Sequence, residues 1–181
     1  MGCEKLSLEV DGVPLIQRVQ NALAVRCQEV LVVGGEGIRL EGVRRVGGER
    51  PGTQGPLAGI EAGLAAARYP LAFVAAGDMP FLTESMVGYL LERLGRSDAL
   101  AVVPRYQSRI HPLCAAYARV LLPRVGAALD GGTRAVHEFL EGMDEVEYVG
   151  EELRRFGDPD LLLMNVNSPE DLERARREAG R

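Results

Sequence analysis

The sequence predicts an α/β fold layered on a mostly parallel central sheet, and two observations carry that expectation. Short apolar runs that end on glycine or proline alternate with stretches of helical period. The runs are also apolar almost without interruption, which suits strands covered on both faces, as those of a parallel sheet are. Val30–Val33 ends at Gly34-Gly35, Leu71–Ala76 at Gly77-Asp78, and Leu100–Val103 at Pro104. Cys114–Tyr117, Val146–Val149 and Leu161–Asn165 are further strand candidates. Helical period fills 14–27, 57–68 and 83–95, and helices are expected again at 118–129, 133–141 and 169–179. The last has a complete start signal: Ser168 as N-cap, Pro169 at the first helical position and Asp171 at the capping-box position.

A chain of 181 residues with 46% hydrophobic and 26% charged residues lies in the range of one globular domain, and residues 1–181 are read as such. That length buries roughly 70% of the unfolded surface, enough for a core without disulfide or metal staples. The 26 acidic residues outnumber the 21 basic ones, leaving −5, and the cations are dispersed. A counterion-releasing basic stripe is therefore missing, which argues against nucleic acid as a partner. Cys3, Cys27 and Cys114 are too few and too scattered for a disulfide framework or a zinc cage, and read as cytosolic thiols. No apolar stretch approaches the roughly 20 residues of a membrane span. The opening Met-Gly-Cys-Glu-Lys lacks a signal-peptide core, so a cytoplasmic protein with no membrane partner is expected.

Ligands of open α/β sheets bind beyond the carboxyl ends of strands, which directs attention to Asp78. A carboxylate there suits magnesium, a hard cation that takes one or two carboxylates plus substrate phosphates; the same position equally suits a turn cap. Pro51–Gly59 is glycine-rich and runs into an alanine-rich helix, so its backbone offers close approach and a helix N-terminus to a ligand, or is simply a loop. Lys5, taken alone, is a solvated surface residue. Arg109-Ile-His-Pro112 sets a cation and an imidazole ahead of a strand candidate, but His111 and His137 lack ligand-spaced partners for zinc. No serine sits in a nucleophile elbow. Asn165 and Asn167 fall on one side of an extended segment, where two amides either read a polar ligand or stabilise the turn into the last helix.

Taken in order, Met1–Lys5 with Gly12–Leu15, Gly55-Pro-Leu-Ala-Gly59, Gly77-Asp-Met-Pro80, His111-Pro-Leu113 and Asn165-Val-Asn-Ser-Pro-Glu-Asp171 resemble the molybdenum cofactor guanylyltransferase family. The resemblance spans nearly the whole chain. It implies a three-layer, Rossmann-like nucleotidyltransferase fold and the transfer of GMP from GTP to molybdopterin with release of pyrophosphate. Lys5 matches the family lysine that contacts the nucleotide, and Asp78 the aspartate that binds magnesium and GTP; these two are the implied catalytic residues. Gly55, Pro56, Leu57 and Gly59 match the loop on the guanine side. Asn165 and Asn167 match asparagines on the molybdopterin side, and Arg109 and His111 lie in a segment facing that cleft. GTP and molybdopterin are the implied partners, with molybdoenzymes or cofactor-delivery proteins as candidates beyond them.

The chain departs from the family pattern in three places. The family opens with an apolar strand and a glycine-rich loop that closes on Met-Gly-x-Asp-Lys, whereas this sequence begins at that methionine and has Glu4 at the aspartate. Its polar positions after the second strand and before the Gly-Pro loop fall here on Gly34-Gly35-Glu36 and Gly48-Glu49, with Glu49 standing in for the second acidic residue. The expectation is that roughly 15 residues forming that strand and loop belong ahead of Met1, by βα-unit lengths, and that without them pairing is interrupted beside Val32 and Val74. Two alternatives stay open: a cytidylyltransferase or another small-molecule nucleotidyltransferase, and an inactive nucleotide- or cofactor-binding module.

Overall fold

A computed structural model describes residues 5–35, 37–47 and 54–180; Cys3, Glu4, Glu36, Gly48 and Glu49 lie outside the described residues. The chain enters through a small antiparallel hairpin, β1 (Glu9–Val10) and β2 (Val13–Pro14). Its two-residue turn holds Asp11 at φ 53° and Gly12 at φ 69°, the left-handed pair that matches strand twist in a tight hairpin. Helix α1 (Leu15–Ala24) buries Leu15, Val19 and Ala22, spaced by four and three residues on one face. Then come β3 (Leu31–Val33), paired in parallel with β4 (Arg44–Val46), α2 (Pro56–Ala66), β5 (Leu71–Ala75) and α3 (Glu84–Gly95). Thr83 caps α3, its hydroxyl accepting from the Met86 amide at 3.3 Å.

The second half supplies β6 (Ala101–Tyr106), β7 (Arg109–Ile110), β8 (Cys114–Ala118), α4 (Leu122–Asp130), α5 (Val136–Glu141), β9 (Val146–Val149), α6 (Pro159–Leu162) and α7 (Pro169–Ala179). One sheet holds β5-β8-β6-β7 in that order, with β9 on β6. β8 is antiparallel to both β5 and β6, and β9 is parallel to β6, so β5, β6 and β9 run one way and β8 is reversed between them. The reversal follows from the connection: after β6 the chain turns back through a hairpin at Gln107 and Ser108, not through a helical crossover.

Side chains alternate across this sheet into two clusters. Val102, Cys114, Ala116 and Val149 meet α1 and α3, while Ala101, Val103, Ala115 and Tyr117 meet α2, α4 and α5. The result is helix, sheet, helix, with Leu90 of α3 and Leu64 of α2 essentially sealed from water. Burying a leucine this fully contributes about 1.5–3 kcal/mol. A third cluster packs Val10 and Leu15 against Val166, Leu172 and Ala175, which anchors α7 over the entry hairpin.

Leu161–Asn165, expected as a strand, is instead the end of α6 and the turn after it. The cause is local: Asp158 caps α6 by accepting from the Asp160 amide at 3.0 Å, and Pro159 opens the helix. A second feature is a discontinuity. β3–β4 forms a sheet of its own, and among the described residues no strand pairs with the remaining edge of β3 or of β5. A cavity of about 630 Å³ lies between them, lined by Leu31–Val33 and Leu71–Ala75.

Candidate active site

Asp78 stands just past the carboxyl end of β5 and is met there by residues from both ends of the chain. Its Oδ2 accepts from Lys5 Nζ at 2.5 Å, and its Oδ1 accepts from Asn165 Nδ2 at 2.7 Å. Lys5 Nζ also donates to Asn167 Oδ1 at 2.8 Å, and the Val166 amide donates to the Asp78 carbonyl at 2.9 Å. The Lys5 and Asp78 side chains are 25% and 14% exposed, so the pair is sheltered but open to a ligand. An ammonium has three N–H donors and two are engaged here, leaving one for an incoming oxygen.

Local sequence explains this convergence. Gly77 lets the chain start approach: a Cβ there would stand 3.1 Å from Leu6 Cδ2 and 3.3 Å from Ile16 Cδ1, so a larger residue would press on the segment that delivers Lys5. Asn165 and Asn167 flank buried Val166: Val166 packs into the core with Val10 and Leu15, while the two side-chain amides reach Asp78 and Lys5. Asn167 is fixed from behind by the capping box of α7. The Asp171 carboxylate accepts from the Asn167 and Ser168 amides at 2.9 Å each, and the Asp171 amide donates to Ser168 Oγ at 3.2 Å. The Asn167 amide and then Ser168 hold the Asp171 carboxyl below its usual range.

None of the remaining described candidates hydrogen-bonds to this cluster. Gly55 precedes α2 at φ 118°, a backbone state suited to glycine, and Pro56 takes the first helical turn. No side chain among the described residues caps that helix start. Pro56 and Gly59 line the same cavity as Leu6 and Gly77, while Leu57 is wholly buried against the core. Arg109 is exposed on β7. His111 is half-buried, and burial, then the Arg109 charge, pushes its pKa below the ordinary value. Its segment reaches the site's neighbourhood through Leu113, whose carbonyl accepts from the Ala76 amide at 2.8 Å. Glu49 lies outside the described residues.

No group of three or more His, Cys, Asp or Glu residues that could hold a metal occurs among the described residues. One carboxylate backed by amides fits a magnesium ion that takes its other ligands from phosphate and water, and does not fit a resident metal held by protein alone. No helix among the described residues is long and apolar enough to cross a membrane.

Comparisons with known proteins converge on one family. Residues 1–174 match the model of the MobA-like NTP transferase domain. The chain is 36% identical over 180 residues to a "Probable molybdenum cofactor guanylyltransferase" of Pelotomaculum thermopropionicum, covering 97% of this chain and 85% of that protein. Among solved structures it resembles the molybdopterin-guanine dinucleotide biosynthesis protein A of Archaeoglobus fulgidus, with a TM-score of 0.83, 27% identity, and coverage of 99% and 92% of the two chains. The 2-C-methyl-D-erythritol 4-phosphate cytidylyltransferase of Thermus thermophilus shares the fold, with a TM-score of 0.72, 22% identity, and coverage of 97% and 93%.

Proposed function

The chain belongs to the MobA-like NTP transferase domain family, and from that premise we propose that it transfers GMP from GTP to molybdopterin. A phosphate oxygen of molybdopterin attacks the α-phosphorus of GTP in line, a new phosphoanhydride bond forms, and the bond to the β-phosphate oxygen breaks to release pyrophosphate. The observation that carries this reading is the cluster of Lys5, Asp78, Asn165 and Asn167 beyond the carboxyl end of β5. Phosphoryl transfer asks little covalent chemistry of a protein; positioning and charge neutralisation do most of the work.

In this reading Lys5 turns its free N–H toward a phosphate oxygen while Asp78 and Asn167 keep its head in place. Asn165 orients the Asp78 carboxylate, and Asn165 and Asn167 together face molybdopterin, with Arg109 and His111 on the same side. The Gly55–Gly59 turn lies against guanine. Asp78 would be the residue that holds a magnesium ion, which would supply neutralisation of the charge developing on pyrophosphate.

Pyrophosphate release from GTP plus molybdopterin, with and without magnesium, tests the proposal. GTP is expected to exceed CTP and ATP by about 100-fold, because a base-reading site that leaves polar groups unpaired against the wrong base discriminates strongly. Comparable turnover with CTP moves the chain to cytidylyl transfer. GTP binding without pyrophosphate release makes it a binding module.

A further inference from the structure

Tyr117 is sealed in the core at 1% exposure, in the cluster that joins the sheet to α2, α4 and α5. Its cross-strand neighbours in register are Ala72 on β5 and Ala101 on β6, two small residues that leave the ring room over the sheet. Packing at this position asks for an apolar body, which phenylalanine supplies without taking a hydroxyl out of water. The hydroxyl is nevertheless there, and it donates to the Pro112 carbonyl at 2.8 Å. Burial, and then Tyr148 and Cys114, push its pKa above the ordinary phenol value, so the group stays a neutral donor.

Pro112 lies in a turn whose two ends are fastened by main chain. The His111 amide donates to the Pro104 carbonyl of β6 at 2.9 Å, the Cys114 amide to the His111 carbonyl at 3.0 Å, and the Ala76 amide to the Leu113 carbonyl at 2.8 Å. Proline has no N–H to add, so Pro112 joins the fold through its carbonyl, and the Tyr117 hydroxyl receives it there. The tether thus holds to the sheet the segment in which Arg109 and His111 stand, and that segment bonds to the chain two residues before Asp78. The ring serves the other side of the site: its cluster includes Leu57, Ala58 and Ile60 of α2, the helix that follows Gly55. Ring and hydroxyl are therefore separable, one seating α2 and the other the His111 turn.

We propose that Tyr117 is a positioning residue for the acceptor side of the transfer reaction, its hydroxyl fixing the His111 turn against the end of β5 through the Pro112 carbonyl; the acceptor assignment rests on the function proposed above. Tyr117→Phe keeps the ring and removes the tether. The chain has two histidines, His111 and His137, so imidazole NMR signals separate the outcomes. His137 is exposed on α5, whose Val136, Phe139 and Leu140 share the Tyr117 cluster, and it reports any general loosening there. In ligand-free Tyr117→Phe, the His111 signals are expected to shift and its pKa to rise toward the ordinary value as the freed turn takes up water, with His137 unmoved. In pyrophosphate release, the KM for molybdopterin is expected to rise about tenfold, with kcat and the KM for GTP within about threefold. Tyr148→Phe, which removes a hydroxyl from a half-buried ring packed on the same cluster, should change neither readout. Unmoved His111 signals with unchanged kinetics make the hydroxyl a satisfied core group and overturn the proposal. A shift of both histidines, or an equal rise in both KM values, is loosening of the core and overturns it too. If Tyr117→Phe does not fold, the wild-type chain answers: a slowly exchanging Tyr117 hydroxyl proton coupled to the Pro112 carbonyl carbon upholds the tether, and its absence overturns it. A wild-type chain that releases no pyrophosphate fails the transfer reading instead, and the His111 signals still decide the tether.

Discussion

Replacing Asp78 with asparagine separates holding a phosphate-bound metal from holding the chain. The amide keeps the shape and one acceptor for Asn165, but sets either a neutral oxygen or an N–H against the Lys5 ammonium. A charge-assisted hydrogen bond is worth about 1.5–3 kcal/mol when sheltered, and an exposed ion pair about 0–1. With side chains 25% and 14% exposed, the loss falls between these ranges, about 1–2 kcal/mol. For a chain of this length that lowers Tm by roughly 2–8 °C and leaves a folded protein at 25 °C. Activity is expected to fall by at least about 100-fold, since the carboxylate that would hold the neutralising magnesium is gone. Pyrophosphate release, circular dichroism and thermal melting on the same preparation give both numbers. A folded Asp78→Asn protein within a few-fold of full activity reduces Asp78 to a turn residue and refutes the metal assignment.

Three further outcomes are expected. Asp171→Ala removes the two bonds to the Asn167 and Ser168 amides and should lower stability at pH 7 by about 0.5–1 kcal/mol; because the folded carboxyl is depressed, its contribution is present above its ordinary pKa and fades as pH falls through the folded value, so wild type and variant should converge in acid melts. His111 should titrate below its ordinary pKa by NMR, rise partway in Arg109→Ala while burial keeps it low, and favour folding less as pH falls, since the unfolded chain takes the proton first. Gly150→Ala places a Cβ 2.9 Å from the Arg105 carbonyl oxygen and should destabilise by about 1–3 kcal/mol on thermal melting.

Apolar runs made β5, β8 and β9 legible, because strands covered on both faces carry little polar punctuation, whereas β6 runs on through Pro104 to Tyr106, past the proline at which its apolar run ends. β5, β8 and β9 fall within a residue of where Leu71–Ala76, Cys114–Tyr117 and Val146–Val149 place them. β4 is Arg-Arg-Val and β7 is Arg-Ile, so neither has a run to read, although Asp11-Gly12 was a usable signal for the β1–β2 hairpin. The Leu161 run misleads because its apolarity suits a strand, whereas Asp158-Pro159 just ahead of it starts a helix. Strand-end position and two-residue alternation put Asp78, Asn165 and Asn167 among the candidates, but nothing local in the sequence brings Lys5 to them. That contact depends on Gly77 and Ile16 receiving Leu6, a packing event between distant segments.

Those segments also set when the site comes into being. Lys5 and Asn167 are 162 positions apart, with Asp78 at separations of 73 and 87 from Lys5 and Asn165. A ribosome adding about 5–20 residues per second delivers Lys5 and Asp78 well before Asn165 and Asn167, and contacts of such high contact order follow the local helices and hairpins. A nascent chain that has already formed β5 therefore has Asp78 without the asparagine that orients it. The cluster of Lys5, Asp78, Asn165 and Asn167 is therefore complete only once the segment just ahead of α7 has docked, which makes its assembly a late event in both synthesis and folding.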